Sequence, residues 1–454
     1  MFKNLLRTVF RMTKISPESV MDSMPALSST KRLQPDFVST EENEPASKKP
    51  KKKIPNRKYA LFVAYQGKNY FGMQVQSPGS NMPTIESHLL EAFQKCDLIS
   101  EEQKQKPFTF SFQRAARTDR KVSAVRQCIS FMLPLTDDFA ANGHNELNAH
   151  LPNDIRVLTI RRTIPSFHSQ KKCDFRTYSY TIPTFAFAGT DSLTQPTFRM
   201  THERREEVNQ VLKCFVGTHN FFNYTSKREH SDMSSNRYII SFECGEPFSY
   251  VHDYGYKKIE YEFATIYIQG QSFMLHQIRK MIGMTLTVLR GFQNKSDVTR
   301  SFEKLRMDVP RAPGLGLILE QVHYRNYDRN FSHIHQKLDS LGEDIEAQVK
   351  KIRDELIISE ILSTEVLTNS MMLWLADLPK HDFIVNPESE TLEKSALAMA
   401  RGVAADAVAE AKGEKVVNKA EEDDEDAEID EVVAEDVDES QKESEELEKK
   451  AVAQ

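Results

Sequence analysis

The stretch QRAARTDRKVSAVRQ, Gln113 to Gln127, sets a single carboxylate, Asp119, among Arg114, Arg117, Arg120, Lys121 and Arg126. Nearby positive charge favours the ionised form of an acid, so Asp119 is expected to remain a carboxylate at neutral pH. A positioned carboxylate can act as a nucleophile or as an electrostatic base. On spacing alone it can equally be a loop acid that neutralises its neighbours, and both readings stand at this point. His276 could be mistaken for a general base or a metal ligand. With no other ligand at helical spacing, a packed or hydrogen-bonded histidine fits better than a metal ligand. The five cysteines, Cys96, Cys128, Cys173, Cys214 and Cys244, form no CxxC pair. Their scatter argues against a zinc site or a disulfide framework and fits a reducing compartment.

The elements that must position this loop are legible on either side of it. KYALFVAY (Lys58 to Tyr65) predicts a buried strand, and TIESHLLEAFQKC (Thr84 to Cys96) an amphipathic helix capped by Thr84. Two strands, Phe108 to Phe112 and Gln127 to Leu135, are expected to flank the loop, followed by a helix from Asp138 to Leu151 and a strand from Ile155 to Ile164. A similar order then returns: strand Phe175 to Ile182, helix Glu203 to Val216, strands Tyr238 to Glu243 and Glu260 to Ile268, helix Phe273 to Arg290, and strand Leu315 to Tyr324. This order predicts an α+β fold with helices on one face of a largely antiparallel sheet. Two helices are expected after Tyr327, ending at SMMLWLADLPKHDF with the lone Trp374.

The ends have a different character. In MFKNLLRTVFRMTK, Lys3, Arg7, Arg11 and Lys14 fall on one face of a helix, a pattern similar to a mitochondrial presequence. KKPKKK, Lys48 to Lys53, resembles a nuclear localisation sequence and can also serve as a basic arm touching phosphates. Beyond about Pro387 no aromatic residue occurs, and the Ala/Glu/Asp/Lys/Val composition predicts disorder. Net charge is −6, but from Arg401 onward there are 20 acids and 7 bases, so the remainder is positive and residues 59–400 are close to neutral. Overall charge therefore does not argue for a nucleic-acid partner. No apolar run approaches the roughly 20 residues of a membrane-spanning helix, so no membrane role is expected. The expected organisation is 1–56 targeting segment and basic linker, 57–165 first half carrying Asp119, 166–328 second half, 329–386 helical extension and 387–454 acidic tail.

ARTDRKVSA resembles the catalytic loop of the TruA family of tRNA pseudouridine synthases, and further segments agree in family order. These are YQGKNYFGMQVQ (Tyr65 to Gln76) with TIE (Thr84 to Glu86), LPNDIRV (Leu151 to Val157), RTYSY (Arg176 to Tyr180), GTHNF (Gly217 to Phe221), GQSFMLHQIRKMIG (Gly270 to Gly283) and APGLGLILEQVHY (Ala312 to Tyr324). The resemblance runs from about Lys58 to Phe383. It implies an isomerase that needs no cofactor or metal, built of two ferredoxin-like (RRM-like) halves sharing one sheet, with a basic cleft between them. It also implies a monomer found in nucleus and mitochondrion, acting on structured RNA. The substrate would be chiefly the tRNA anticodon stem at positions 27 and 28, with messenger and small nuclear RNA as further targets.

Carried over by motif, Asp119 corresponds to the family's catalytic aspartate and Arg279 to its salt-bridge partner, a role suited to a planar guanidinium that never deprotonates. Tyr178 corresponds to the residue that stacks on the flipped uracil, and Arg117 to the arginine that fills the vacated place in the RNA. Arg114, Lys121 and Arg126 are expected RNA contacts, with Arg161, Arg162, Lys171 and Lys172 as weaker phosphate candidates. Lys121 and Arg126 stand where the family usually has glycine. If either position requires positive φ, a side chain there costs about 1 kcal/mol or more. The rival reading is an RNA-binding or RNA-folding protein that kept the cleft and lost turnover.

Overall fold

The computed structural model describes residues 54–75, 82–189, 197–226 and 228–383. The N-terminal basic segments and the acidic tail lie outside the described residues. Ten strands form one sheet: β1 (Arg57–Tyr65), β2 (Gln113–Arg114), β3 (Ser123–Leu133), β4 (Ile155–Arg162), β5 (Phe175–Pro183), β6 (Gly217–Asn220), β7 (Asn236–Cys244), β8 (Phe248–Asp253), β9 (Lys258–Gly270) and β10 (Leu317–His323). The order is β4-β1-β3-β10-β5-β9-β7-β6, with β2 beside β3 and β8 beside β9. Every pairing is antiparallel except β3 with β10, which are parallel and matched only at Ser123–Ile318 and Ala124–Leu319. That short seam joins the part of the sheet that carries Asp119 to the part that carries Tyr178.

The helices are α1 (Ile85–Lys95), α2 (Glu101–Gln105), α3 (Asp137–His150), α4 (His202–Leu212), α5 (Gln277–Leu289), α6 (Lys295–Arg300), α7 (Arg325–Phe331), α8 (Glu343–Ile352), α9 (Ser359–Thr368) and α10 (Ser370–Asp377), with a π-helical turn at Arg353–Ile358. Thr84 caps α1 as expected, its hydroxyl accepting from Ser87 N while the Ser87 hydroxyl accepts from Thr84 N. The expected strand at Phe108 to Phe112 is instead a 3-10 turn, Pro107–Phe110, followed by the two-residue β2. Pro107 is well placed to open the turn and Ser111 leaves it with φ +53. The shortness of β2 leaves the start of β3 open to β10. The expected helix from Phe273 begins only at Gln277, and the short strands β6 and β8 had not stood out from the sequence.

Helices cover both faces of the sheet rather than one. On one side Phe93 of α1 packs edge-on against Phe131 of β3, 5.0 Å between centroids. On the other, Phe62 of β1 meets Tyr324, 6.5 Å away, and Arg161 of β4 donates to the carbonyls of Lys337, Ser340 and Leu341. Burial of nearly every residue of β1 and β3 follows from this double cover.

The C-terminal helices tie the sheet together. Arg126 of β3 pairs with Glu346 of α8 and donates to the Asp339 carbonyl at 3.0 Å. Glu320 of β10 receives Arg353 through Nε at 3.0 and 2.9 Å and Nη2 at 2.8 Å. Leu362 and Val366 of α9 pack with Tyr261 and Phe263 of β9. Among the described residues no single helix is long and apolar enough to cross a membrane; the bent run 343–380 has the composition, but Val349, Ile357, Ile361, Met371, Leu375 and Leu378 point into the core.

Candidate active site

Asp119 sits on the connection from β2 to β3, and several peptide groups of that connection are engaged. Ala115 N donates to Cys128 O at 2.8 Å, and the fully buried Gln127 side chain accepts from Ala116 N at 3.2 Å and donates to Ala116 O at 2.7 Å. Thr118 is buried, with its hydroxyl 2.8 Å from the Tyr65 hydroxyl. Beyond Asp119 a tight turn closes when Val122 N donates to Asp119 O at 3.1 Å.

The YQGKNYFG segment after β1 braces this turn backbone to backbone. Met73 N donates to Thr118 O at 3.1 Å, Lys121 N to Tyr70 O at 3.2 Å, and Gly67 N to the Ser123 hydroxyl at 2.9 Å. Two glycines are required by the closeness. A Cβ at Gly67 would lie 2.2 Å from Val122 O, and Gly72 adopts φ +97 with Thr118 O 2.9 Å from where its Cβ would be. A carboxylate held on so braced a loop needs little reorganisation before it acts.

Opposite the loop, the start of α5 brings up Arg279. Its Nε donates to Ala312 O at 2.8 Å, fixing the guanidinium so that Nη1 lies 3.8 Å from Asp119 Oδ2. Gly283, one turn further along α5, would place a Cβ 1.9 Å from Pro310 O, so only glycine lets the 310–316 segment lie this close to the helix. Tyr178, on β5 between β10 and β9, is buried and meets Phe273 edge-on at 5.3 Å. Burial pushes its phenol well above the usual range, so it stays neutral.

Asp119, Arg117, Tyr178 and Arg279 line one cleft of about 420 Å³. The structure does not bring the other three candidates into it. Arg114 is paired with Glu86 at 2.7 Å, Lys121 is exposed but not part of the lining, and Arg126 is buried against α8. Arg126 therefore serves packing, as does Arg161, since both reach out for C-terminal carbonyls that burial would otherwise leave unsatisfied. Of the two positions where glycine was expected, Lys121 has φ +66, whereas Arg126 lies in an ordinary strand. The cleft also contains residues that sequence reasoning passed over: Arg228, Arg237, Gln170, and Arg176, whose Nη2 donates to Ala115 O at 2.9 Å and Nη1 to Gln271 O at 2.6 Å. Arg176 was visible only as the first letter of RTYSY, and Arg228 and Arg237 fall in no recognisable motif. Among the described residues no group of His, Cys, Asp and Glu is placed to hold a metal ion.

A cleft with one carboxylate, a fixed arginine beside it and a neutral tyrosine is suited to a ring held flat while a bond at its edge is exchanged. Residues 211–325 match a family model described as tRNA pseudouridine synthase. The chain is 41% identical over 337 residues to the mouse pseudouridylate synthase 1 homolog, covering 74% of this chain and 76% of that protein. The chain belongs to the TruA family of tRNA pseudouridine synthases. The human pseudouridylate synthase 1 homolog is likewise 41% identical, over 71% of this chain and 73% of its own length. The tRNA pseudouridine synthase 1 of Yarrowia lipolytica is 29% identical, over 67% and 72%. Members of this family are isomerases that convert uridine to pseudouridine, so the rival reading of a non-catalytic RNA binder falls behind. A lysine at φ +66 in the synthase loop is a local cost that the surrounding backbone bonds offset.

Proposed function

We propose that this synthase isomerises uridines in the tRNA anticodon stem, at positions 27 and 28, with Asp119 as the catalytic carboxylate. The observation that carries this reading is that, among the described residues, Asp119 is the single acid lining the cleft and lies within ion-pair reach of Arg279. In the reaction the N1 to C1′ bond breaks, the uracil turns while held, and C5 bonds to C1′. C5 gives up a proton and N1 ends with one, so no redox partner enters the balance. Attack of the carboxylate on the sugar and abstraction of a sugar proton both require Asp119 ionised. Tyr178 stacks on the flipped base, worth about 1–3 kcal/mol against the few kcal/mol that unstacking costs. Arg117, exposed at the cleft mouth, takes the place the base vacates.

Messenger and small nuclear RNAs are further substrates in this reading, and the protein works as a monomer without a membrane. The β-α-β-β-α-β order of each half, with strands arranged fourth-first-third-second as β4-β1-β3-β2 and β10-β5-β9-β7, supports two ferredoxin-like halves. The basic N-terminal segments direct it to mitochondrion and nucleus. Chemical mapping of an unmodified tRNA transcript after incubation with purified protein tests the activity. Pseudouridine at positions 27 or 28 is expected with the natural chain and none with Asp119→Asn, which keeps shape and tRNA binding. Full turnover by that variant would overturn the assignment. Deleting residues 1–14 should abolish mitochondrial import, and neutralising Lys48 to Lys53 should lower nuclear accumulation; unchanged fractionation of either tagged variant rejects the corresponding signal.

A further inference from the structure

The turn that leads into α5 contains an anomaly. His276 has φ +61, a left-handed conformation in which histidine is tolerated but not favoured, and it is buried. The turn around it is fixed from both sides, Gln277 N donating to Met274 O at 3.1 Å and the Gln277 side-chain oxygen accepting from Met274 N at 2.8 Å. Backbone strain of this kind persists only where surrounding structure enforces it, and it gathers at sites with a task. Here the strain turns the imidazole into the cleft, with Nε2 3.9 Å from Asp119 Oδ2. Arg311 Nη1 lies 3.2 Å from each ring nitrogen, over the ring rather than in line with either one. Arg311 comes from the same 310–316 segment whose Ala312 carbonyl holds Arg279.

We propose that His276 is a positioning residue for Asp119, held neutral by Arg311. A guanidinium this close disfavours a second positive charge on the imidazole and so keeps it neutral. The neutral ring turns Nε2 toward the carboxylate, and the tautomer that carries its proton there can donate to Asp119. His276 and Arg279 both address Asp119 Oδ2, one neutral and one charged, and fix the orientation of the carboxylate. The separation of 3.9 Å is long for a hydrogen bond, and such contacts commonly tighten when substrate closes a site. Burial, with Arg311, Arg279 and Lys280 nearby, lowers the imidazole pKa to about 3, so it carries no charge in the working range. The groups facing it are Arg311, Arg279 and Lys280 together with Asp119; among the described residues no other acid lines this cleft. The apparent His276–Asp119 ion pair is therefore a neutral contact.

This inference rests on Asp119 as the reacting carboxylate. The test compares His276→Leu, which loses the donor, with His276→Gln, which keeps an amide N–H, and Arg311→Met with Arg311→Lys. Single-turnover rates and tRNA Kd are measured separately on the full chain. His276→Leu should lower the rate at saturating tRNA at least about tenfold, the loss of one hydrogen bond to a charged group. Its Kd should stay within a factor of two, and His276→Gln should recover most of the rate. Arg311→Met should slow turnover similarly, and adding it to His276→Leu should cost little more, because both remove one relay. An unchanged rate in His276→Leu, a loss confined to Kd, or fully additive effects in the double variant would each overturn the proposal. Asp119→Asn measured alongside separates the two claims: an inactive Asp119→Asn with a fully active His276→Leu rejects only the relay. Should His276→Leu fail to fold, the Arg311 pair and the melting temperature of each variant still decide.

Discussion

At the scale of the residue, a charge near the loop is defined by what it touches. Arg114, Arg117, Arg120, Lys121 and Arg126 look alike in sequence, yet one pairs with Glu86, one lines the cleft, one lies 4.4 Å over the Phe71 ring, one turns the backbone and one anchors α8. Arg126→Ala should therefore destabilise the fold by about 1–3 kcal/mol, the cost of a buried group left unsatisfied. The salt dependence of its tRNA binding should stay unchanged. A flatter salt slope with an unaltered melting temperature would return Arg126 to the RNA-contact role. Lys121→Gly should do something else, removing the left-handed strain and stabilising the loop by up to about 1 kcal/mol. If the exposed ammonium reaches phosphate, the same variant also lowers the salt slope by roughly 0.7 to 0.9. Thermal melts and a binding series in salt read both effects. The positive φ at Lys121 was legible as a condition attached to a missing glycine. The burial of Arg126 was not, because its partners lie more than two hundred residues along the chain.

At the scale of the element, strands announced themselves where both faces are buried, and helices where a cap preceded an apolar stripe, as at Thr84 and α1. β8 escaped notice because its half-exposed alternation is short, and β2 because two residues make no pattern. The start of α5 was misplaced because SFML has the apolar character of a helix but serves as a cleft wall. In the extension, α9 holds a buried carboxyl, Glu365, that accepts from Met371 N at 2.8 Å at the start of α10. Burial raises its pKa to about 7. In the unfolded chain the same group releases its proton near the ordinary value, so between roughly pH 4.5 and 7 the folded state binds more protons and stability falls as pH rises. Glu365→Gln keeps the acceptor and removes the charge. It should raise the melting temperature at pH 8, by at most about 3 kcal/mol of stability, and change little at pH 4.5. Equal effects at both values would mean that Glu365 is not protonated by burial in the fold.

At the scale of the whole molecule, the segment from Lys337 through α10 is a strap across the sheet, gripping Arg126 and Arg161 on one half and Glu320, Tyr261 and Phe263 on the other. Ending the chain after Phe383 should leave the melting temperature within about a degree, given a tail too poor in apolar groups to add to a core. Ending it before Glu343 should lower it by many degrees, and differential scanning calorimetry of the two truncations distinguishes the strap from a loosely attached appendage. The need for a strap follows from the seam. Among the described residues, two residue pairs between β3 and β10 are the only backbone pairing between the parts of the sheet bearing Asp119 and Tyr178, and β10 is the last strand. During synthesis on the ribosome the loop with Asp119 emerges early, but nothing faces it until α5, the 310–316 segment and β10 have followed some two hundred residues later. A nascent chain thus has a carboxylate and no cleft. A chain that ends before α5 is therefore expected to carry the carboxylate without Arg279 and to show no turnover, which an assay of that truncation reads.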